Sequence, residues 1–391
     1  MSRKDRLSGN EAAAYAMKQI DPDVMAAFPI TPSTEIPQYY AKYIADGEVD
    51  TEFITVESEH SSMSACMGAS AAGARAFTAT SSAGLAYMWE MLYVTASARL
   101  PVVLLEVNRA LTGPININND HSDSMGCRDS GWIQIYSENN QEAYDNVLQA
   151  MPIAEAVRLP VMICQDGFIT SHAVENIELL EDQDVRSFVG EYEPEHSLLK
   201  EGERLAVGPY GISPYYMEIK RAQAEAMRSA AGRIREVGRA FGDLSGRPYD
   251  MIEEYRMEDA ELAAVVIGSS AGTGKVAVDQ LREQGIRAGL VKVRVFRPFP
   301  EEELRNTLRG KNAVAVMDKA DGFSGCGGPL FAETAAALLG EDGAPKMVDY
   351  VYGLGGRDVT TETFFRVFSE LGEIARTGER GETYRYLGVR E

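Results

Sequence analysis

The chain has 391 residues, 45% hydrophobic and 25% charged, an ordinary balance for a globular protein but too long for one core of ~100–200 residues. Its 59 acidic and 38 basic residues give a formal net charge of −21, which disfavours nucleic acid, because a phosphate backbone is held by Lys and Arg. No apolar run approaches the ~20 residues of a membrane span, and no secretory signal opens the chain, so a cytoplasmic protein with no membrane partner is expected.

In chain order, strands are expected at 23–30, 53–56, 76–80, 101–107 and 161–165. Helices separate them. One starts at Thr31, with Thr31 as N-cap and Pro32 in the first helical position. Another, rich in small residues, runs on from Glu59, and two more cover 88–100 and 140–158. Buried strands alternating with helices predict an α/β unit over 1–187, its largely parallel sheet covered on both faces. Residues 188–255 change character: an acidic start, a Gly/Pro/Tyr stretch, then a long Ala/Arg/Glu-rich helix at 217–241. They are expected to form a helical connector whose charges face solvent. A second α/β unit over 256–375 has expected strands at 262–268, 286–296 and 312–320, with helices at 272–285, 301–310 and 329–340. The tail, 376–391, is expected to be a C-terminal arm, disordered or docked on a partner subunit.

Cys66, Cys127, Cys164 and Cys326 form no C-x-x-C pair, which argues against a zinc knuckle or ferredoxin-type cluster on this chain. They are expected to be reduced thiols that pack as small apolar groups. Gly268 to Lys275 imitates a phosphate loop, but five residues separate Gly268 from Gly274 and Val276 follows the lysine. A tight structural turn is the expectation there. Asp120, His121 and Asp123 sit close together in a polar loop, and an ordered hydrogen-bonded loop is expected rather than a metal site.

Ligands of open parallel sheets bind at the carboxyl ends of the strands. Those ends carry Thr31, the two carboxylates Glu57 and Glu59, and Arg109. An arginine with a nearby hydroxyl suits a small carboxylate substrate, and a carboxylate entering an Ala/Gly-rich helix suits proton transfer. By spacing alone, Glu59 serves equally well as a helix-end charge that complements the dipole.

The segments FPITPSTEI, VESEHSSMSACMGASAAGARAFTATSSAGL, LEVNRAL, PININNDHSDSM and RDSGWIQIYSENNQEA resemble the α subunits of the pyruvate:ferredoxin oxidoreductase family. So do GSSAGTGKVAVDQLREQG, VRVFRPFP, GFSGCGGPL and YLGVR, so that the likeness covers nearly the whole chain in order. The resemblance implies a thiamine-pyrimidine-binding domain at 1–187 and a transketolase C-terminal-like domain at 256–375. It implies oxidative decarboxylation of a 2-oxoacid, most naturally pyruvate, with coenzyme A as acyl acceptor and ferredoxin as electron acceptor. Branched-chain, aromatic and dicarboxylic oxoacids, or a non-catalytic structural subunit, are the alternatives. By the same resemblance Glu59 matches the glutamate that hydrogen-bonds the aminopyrimidine of thiamine diphosphate, and is favoured over Glu57. Thr31 matches a substrate-contacting threonine, and Arg109 the arginine that binds the substrate carboxylate. Mg²⁺, the diphosphate and the 4Fe–4S iron–sulfur clusters are then expected on partner β, γ and ferredoxin-like δ subunits. Phe28 departs from the tyrosine that often precedes PITP in related chains.

Overall fold

The computed structural model describes residues 3–208 and 210–390. The first two residues of the first unit, Pro209 of the connector stretch and Glu391 at the end of the tail lie outside the described residues. Two sheets organise the rest. The first has seven strands in the order Glu52–Thr55, Val24–Ala27, Ala76–Thr80, Val102–Asn108, Val161–Asp166, Ile133–Ser137 and Val295–Arg297. All its pairs are parallel except the last. Every residue of Val102–Asn108 and Val161–Asp166 is buried, as a strand covered on both faces requires. The second sheet has six strands in the order Tyr384–Tyr386, Lys346–Val351, Ala313–Asp318, Leu262–Val266, Ala288–Val293 and Ile252–Tyr255. Among the described residues no helix is long and apolar enough to cross a membrane.

Four expectations need correction. The helix expected from Thr31 runs instead over Glu35–Ala45, and Thr31 is exposed rather than an N-cap. A turn intervenes, closed by Ser33, whose N–H and hydroxyl both donate to the Ile30 carbonyl at 2.9 Å. The single strand expected at 286–296 is two strands in different sheets. The break falls at Arg294, whose buried guanidinium bonds Asn146 and Gln149 of the first unit, while Arg294 and Val295 N–H both donate to Met251 O. The connector ends in a strand, Ile252–Tyr255, antiparallel to Ala288–Val293. The tail likewise closes the opposite edge: Tyr384–Tyr386 pairs with Lys346–Val351, and the hydroxyls of Tyr384 and Tyr386 donate to Asp321. Limits at 255 and 376 therefore cut through the second sheet. The residues before 20, for which no element was expected, pair Arg3–Ser8 with Val174–Leu179 and then form the helix Gly9–Ile20. A reciprocal capping box between Ser8 and Glu11 starts that helix.

The connector helix spans Ser213–Ser245 and buries Gln223, Ala226, Ala230, Ile234, Gly238 and Phe241, a stripe at three- or four-residue spacing. Gly238 lets the Tyr249 carbonyl approach, since a Cβ there would stand 2.1 Å from it. Helix Asn140–Val157 lies beneath and is buried on nearly every side, with Ile153, Ala154 and Met151 sealed from solvent.

The two units share a core. One apolar cluster runs from Met63 and Leu92 through Trp132 and Phe296 to Val316 and Leu330. Polar groups fasten the same boundary. Asp166 ends its strand within 2.8 Å of both His121 Nε2 and Lys319 Nζ, and accepts a further bond from Ser269. Burial opposes the charge on Asp166, yet Lys319 and His121 together hold its carboxyl far below the usual range. Lys319→Met is expected to destabilise the protein by ~3–5 kcal/mol, because it strands a buried carboxylate, and Asp166→Asn added to it should restore part of the loss. Denaturant unfolding of the single and double variants measures both effects.

Candidate functional site

Glu59 opens the helix Glu59–Ala71, whose N-cap is Ser58 with its hydroxyl accepting from Ser61 N–H at 3.2 Å. The two carboxylates of this turn part company. Glu57 is exposed and accepts from the Ser61 hydroxyl, a bond that holds it below the usual carboxylate range. Glu59 turns inward and is only 7% exposed, and its carboxylate has no hydrogen bond or ion pair among the described residues. It lies against Gly84, where a Cβ would stand 2.8 Å from Glu59 Oε1 and 2.3 Å from Thr80 Oγ1. The Thr80 hydroxyl is buried there without a partner.

Arg109 follows directly on strand Val102–Asn108 and is also only 7% exposed. Its backbone N–H donates to Asp123 Oδ2 at 2.8 Å. Its Nε donates to Asn116 O and its Nη1 to Thr31 O, each at 3.0 Å, while Nη2 makes no hydrogen bond among the described residues. Thr31 and Arg109 thus meet through the Thr31 carbonyl, and Thr31 is exposed. No hydrogen bond or ion pair joins Glu59 to either of them among the described residues. The strands leading to the three residues are, in sheet order, Glu52–Thr55, Val24–Ala27 and, beyond Ala76–Thr80, Val102–Asn108. Three interstrand steps make a rim of roughly 14 Å with a carboxylate at one end and a partly free guanidinium at the other.

The loop that holds Arg109 is pinned from the second unit. Asn116 Nδ2 donates to Gly355 O at 3.1 Å, and the Gly356 N–H donates to Asn119 O. A crevice of about 580 Å³ opens beside it, lined by Leu111, Pro114, Arg128, Phe323 and Leu354. Asp120, His121 and Asp123 do not converge. Asp120 takes Ser122 and the Gly355 N–H, His121 takes Asp166, and Asp123 takes Asn108 and the Arg109 N–H. The carboxylates that do converge, Glu138, Glu142 and Glu253, surround the Lys292 ammonium, with Lys275 bonding two of them. A lysine already occupies the place of a cation. The Gly268–Lys275 turn is likewise spent: Ser269 binds Asp166, Lys275 binds Glu138, and Gly274 packs on Leu290 and Phe364.

Sequence reasoning overlooked Gly84, Ser82 and Glu106. A lone acid inside the apolar run PVVLLEV was the available signal for Glu106. A Ser-Ser-Ala-Gly turn directly after a strand was the signal for the other two, although many strand–helix junctions share it.

Residues 15–239 match the model of the pyruvate flavodoxin/ferredoxin oxidoreductase thiamine diphosphate-binding domain, and 260–364 that of pyruvate:ferredoxin oxidoreductase core domain II. Pyruvate synthase subunit PorA of Thermotoga maritima is 50% identical, with 98% of each chain covered. The subunit of the same name from Pyrococcus abyssi is 46% identical over 98% of each chain. The ketoisovalerate oxidoreductase subunit VorA of Pyrococcus abyssi is 44% identical, covering 96% of this chain and 95% of that one. Among solved structures, the 2-oxoglutarate:ferredoxin oxidoreductase of Magnetococcus marinus superposes with a TM-score of 0.74 at 19% identity. The match takes in 94% of this chain and spans 65% of the length of that one.

Gly84→Ala is expected to cost ~1–3 kcal/mol, because its methyl has nowhere to go between Glu59 and Thr80. Gly68→Ala, one helix away with nothing within 4 Å of its Cβ position, should be neutral or stabilising. Paired thermal melts check the contrast.

Proposed function

The chain belongs to the pyruvate:ferredoxin oxidoreductase family, and from that premise we propose that it is the α subunit of a thiamine diphosphate-dependent pyruvate:ferredoxin oxidoreductase. The complex converts pyruvate and coenzyme A to acetyl-CoA and CO₂ and passes electrons through iron–sulfur clusters to ferredoxin. Near-full-length likeness to pyruvate synthase subunits supports pyruvate, and the ketoisovalerate relative makes a branched-chain oxoacid the alternative.

The observation that carries the reading is the largely buried Glu59, whose carboxylate has no hydrogen bond or ion pair among the described residues. A carboxylate in a largely buried side chain is well matched by a hydrogen-bonding ligand, and an aminopyrimidine, with ring nitrogen and amino group side by side, provides one. Thr80 adds an unpartnered hydroxyl to the same pocket. These residues fit the pyrimidine half of thiamine diphosphate. The fit stops there. The carboxylate cluster is filled by lysines and the glycine turn is bound to Asp166, which supports placing the diphosphate and Mg²⁺ on a partner subunit. Cys66, Cys127 and Cys164 are buried apart from Cys326, which supports placing the 4Fe–4S clusters on partners too.

When bound, thiamine diphosphate supplies the electron sink that decarboxylation of a 2-oxoacid requires. Glu59 holds a proton between its carboxylate and the pyrimidine ring nitrogen, which is general acid–base work. Arg109 keeps two of its donors on backbone carbonyls, which fixes the guanidinium plane and directs Nη2 to the substrate carboxylate. Thr31, exposed on the same rim, offers its hydroxyl as a donor to the substrate. With half of the site on each subunit, the isolated chain is inactive and the complex works in the cytoplasm.

The purified complex, assayed with a panel of 2-oxoacids, coenzyme A and a ferredoxin acceptor, is expected to turn over pyruvate fastest. Glu59→Gln should lower kcat by ~10²–10⁴, and Arg109→Met should act chiefly on KM for the oxoacid. Absence of thiamine-dependent turnover with every oxoacid would overturn the reading. A Glu59→Ala complex running at the wild-type rate would instead favour a structural subunit.

A further inference from the structure

Glu106 interrupts the apolar strand Val102–Asn108 and is completely buried. Asp123, 2% exposed, comes up beside it from the short helix Ser122–Gly126. The two carboxyl groups share one donor. Ser82 N–H lies 3.3 Å from Glu106 Oε1 and 3.1 Å from Asp123 Oδ2. Beyond that they are unequal. Asp123 also accepts from Arg109 N–H at 2.8 Å, Asn108 Nδ2 at 2.8 Å and Ser124 N–H at 2.7 Å. Glu106 Oε2 is buried with no hydrogen-bond donor among the described residues. Nor does any cation pair with either group among those residues.

Two carboxylates on one N–H, away from water and without a counter-ion, cannot both stay charged. The better-solvated one keeps the charge and the other keeps the proton. Four donors make Asp123 the anion. Burial, and then the charge of Asp123, push Glu106 well above the usual carboxylate range, which leaves it the protonated member.

What this pair touches matters for the site. Asp123 holds the backbone of Arg109 directly. The pair also holds Ser82 in a backbone conformation that a non-glycine residue seldom adopts, φ 48° and ψ −115°, with its hydroxyl on Ala110 O. Two residues on, Gly84 donates its N–H to Ser81 O and forms the wall against Glu59. Displacing Ser82 would move that wall.

We propose that Glu106 and Asp123 form a one-proton pair, Glu106 donating to an ionised Asp123, that positions Arg109 through its backbone and Glu59 through the Ser82–Gly84 turn. Both are positioning residues, and the assignment rests on the reading of Glu59 and Arg109 as working groups of a 2-oxoacid site.

The test uses the assembled complex, with wild type, Glu106→Gln, Glu106→Leu and Asp123→Asn assayed on pyruvate. Glutamine keeps a donor toward Asp123, so kcat/KM should fall by no more than about threefold. Leucine fills the space without donating, and asparagine removes the charge, so each should lose roughly 10- to 100-fold. In both, KM for pyruvate should rise through Arg109 and kcat should fall through Glu59. A purely packing role predicts that leucine is tolerated as well as glutamine, and that result overturns the proposal. So does a glutamine variant as impaired as leucine, whether or not the asparagine variant assembles. An asparagine variant at wild-type activity overturns it too. A wild-type complex inert toward every 2-oxoacid would instead sink the functional reading and, with it, the positioning role proposed for this pair.

Discussion

Asp166 ends its strand where water does not reach, and its charge is met from both halves of the molecule. His121 comes from the first unit, Lys319 and Ser269 from the second, and all of them close on one carboxylate. Such a group is costly to bury and more costly to leave unpaired, so the geometry that satisfies it is enforced. That geometry sets the carboxyl end of the first sheet against the strand ends of the second. The shared apolar core and the crossing strand Val295–Arg297 reinforce the same arrangement. The two units therefore act as one body at the place where a ligand would sit.

Arg109 is held by the same junction. Its guanidinium is aimed by the carbonyls of Thr31 and Asn116, and Asn116 is held by Gly355 of the second unit. A residue on the first sheet thus depends for its orientation on a loop more than two hundred positions later in the chain. The positive-φ glycines Gly355 and Gly356 make this contact possible, because Cβ atoms there would strike Asn116 and Asn118 at 2.5 and 2.4 Å.

Both α/β units were legible from the alternation of apolar runs with helical stretches, and the strand-end rim carrying Glu59, Thr31 and Arg109 followed from it. What stayed hidden depends on long-range contacts. The run at 286–296 reads as one strand, since nothing local marks Arg294 as the point of exchange between sheets. Its partners, Asn146 and Gln149, lie about 150 positions earlier in a helix that looks merely amphipathic. The edge strands Ile252–Tyr255 and Tyr384–Tyr386 are short and rich in charge and tyrosine, so they lack a buried period. The choice between Glu57 and Glu59 could not be made from spacing either. The two differ in burial, Glu57 exposed and Glu59 against Gly84, and spacing does not encode that difference.

Asp166 and Glu59, along the carboxyl edge of one sheet, are two buried acids that the chain meets differently. Asp166 ends a strand and is met by a lysine, a histidine and a serine, whereas Glu59 opens a helix and faces a glycine. Gly84 offers room and no donor, and the neighbouring Thr80 hydroxyl is left unpaired. Any molecule that hydrogen-bonds Glu59 in the folded chain, and not in the unfolded one, stabilises the chain by mass action. On the reading of Glu59 proposed above, cofactor binding and stability are then coupled through one side chain.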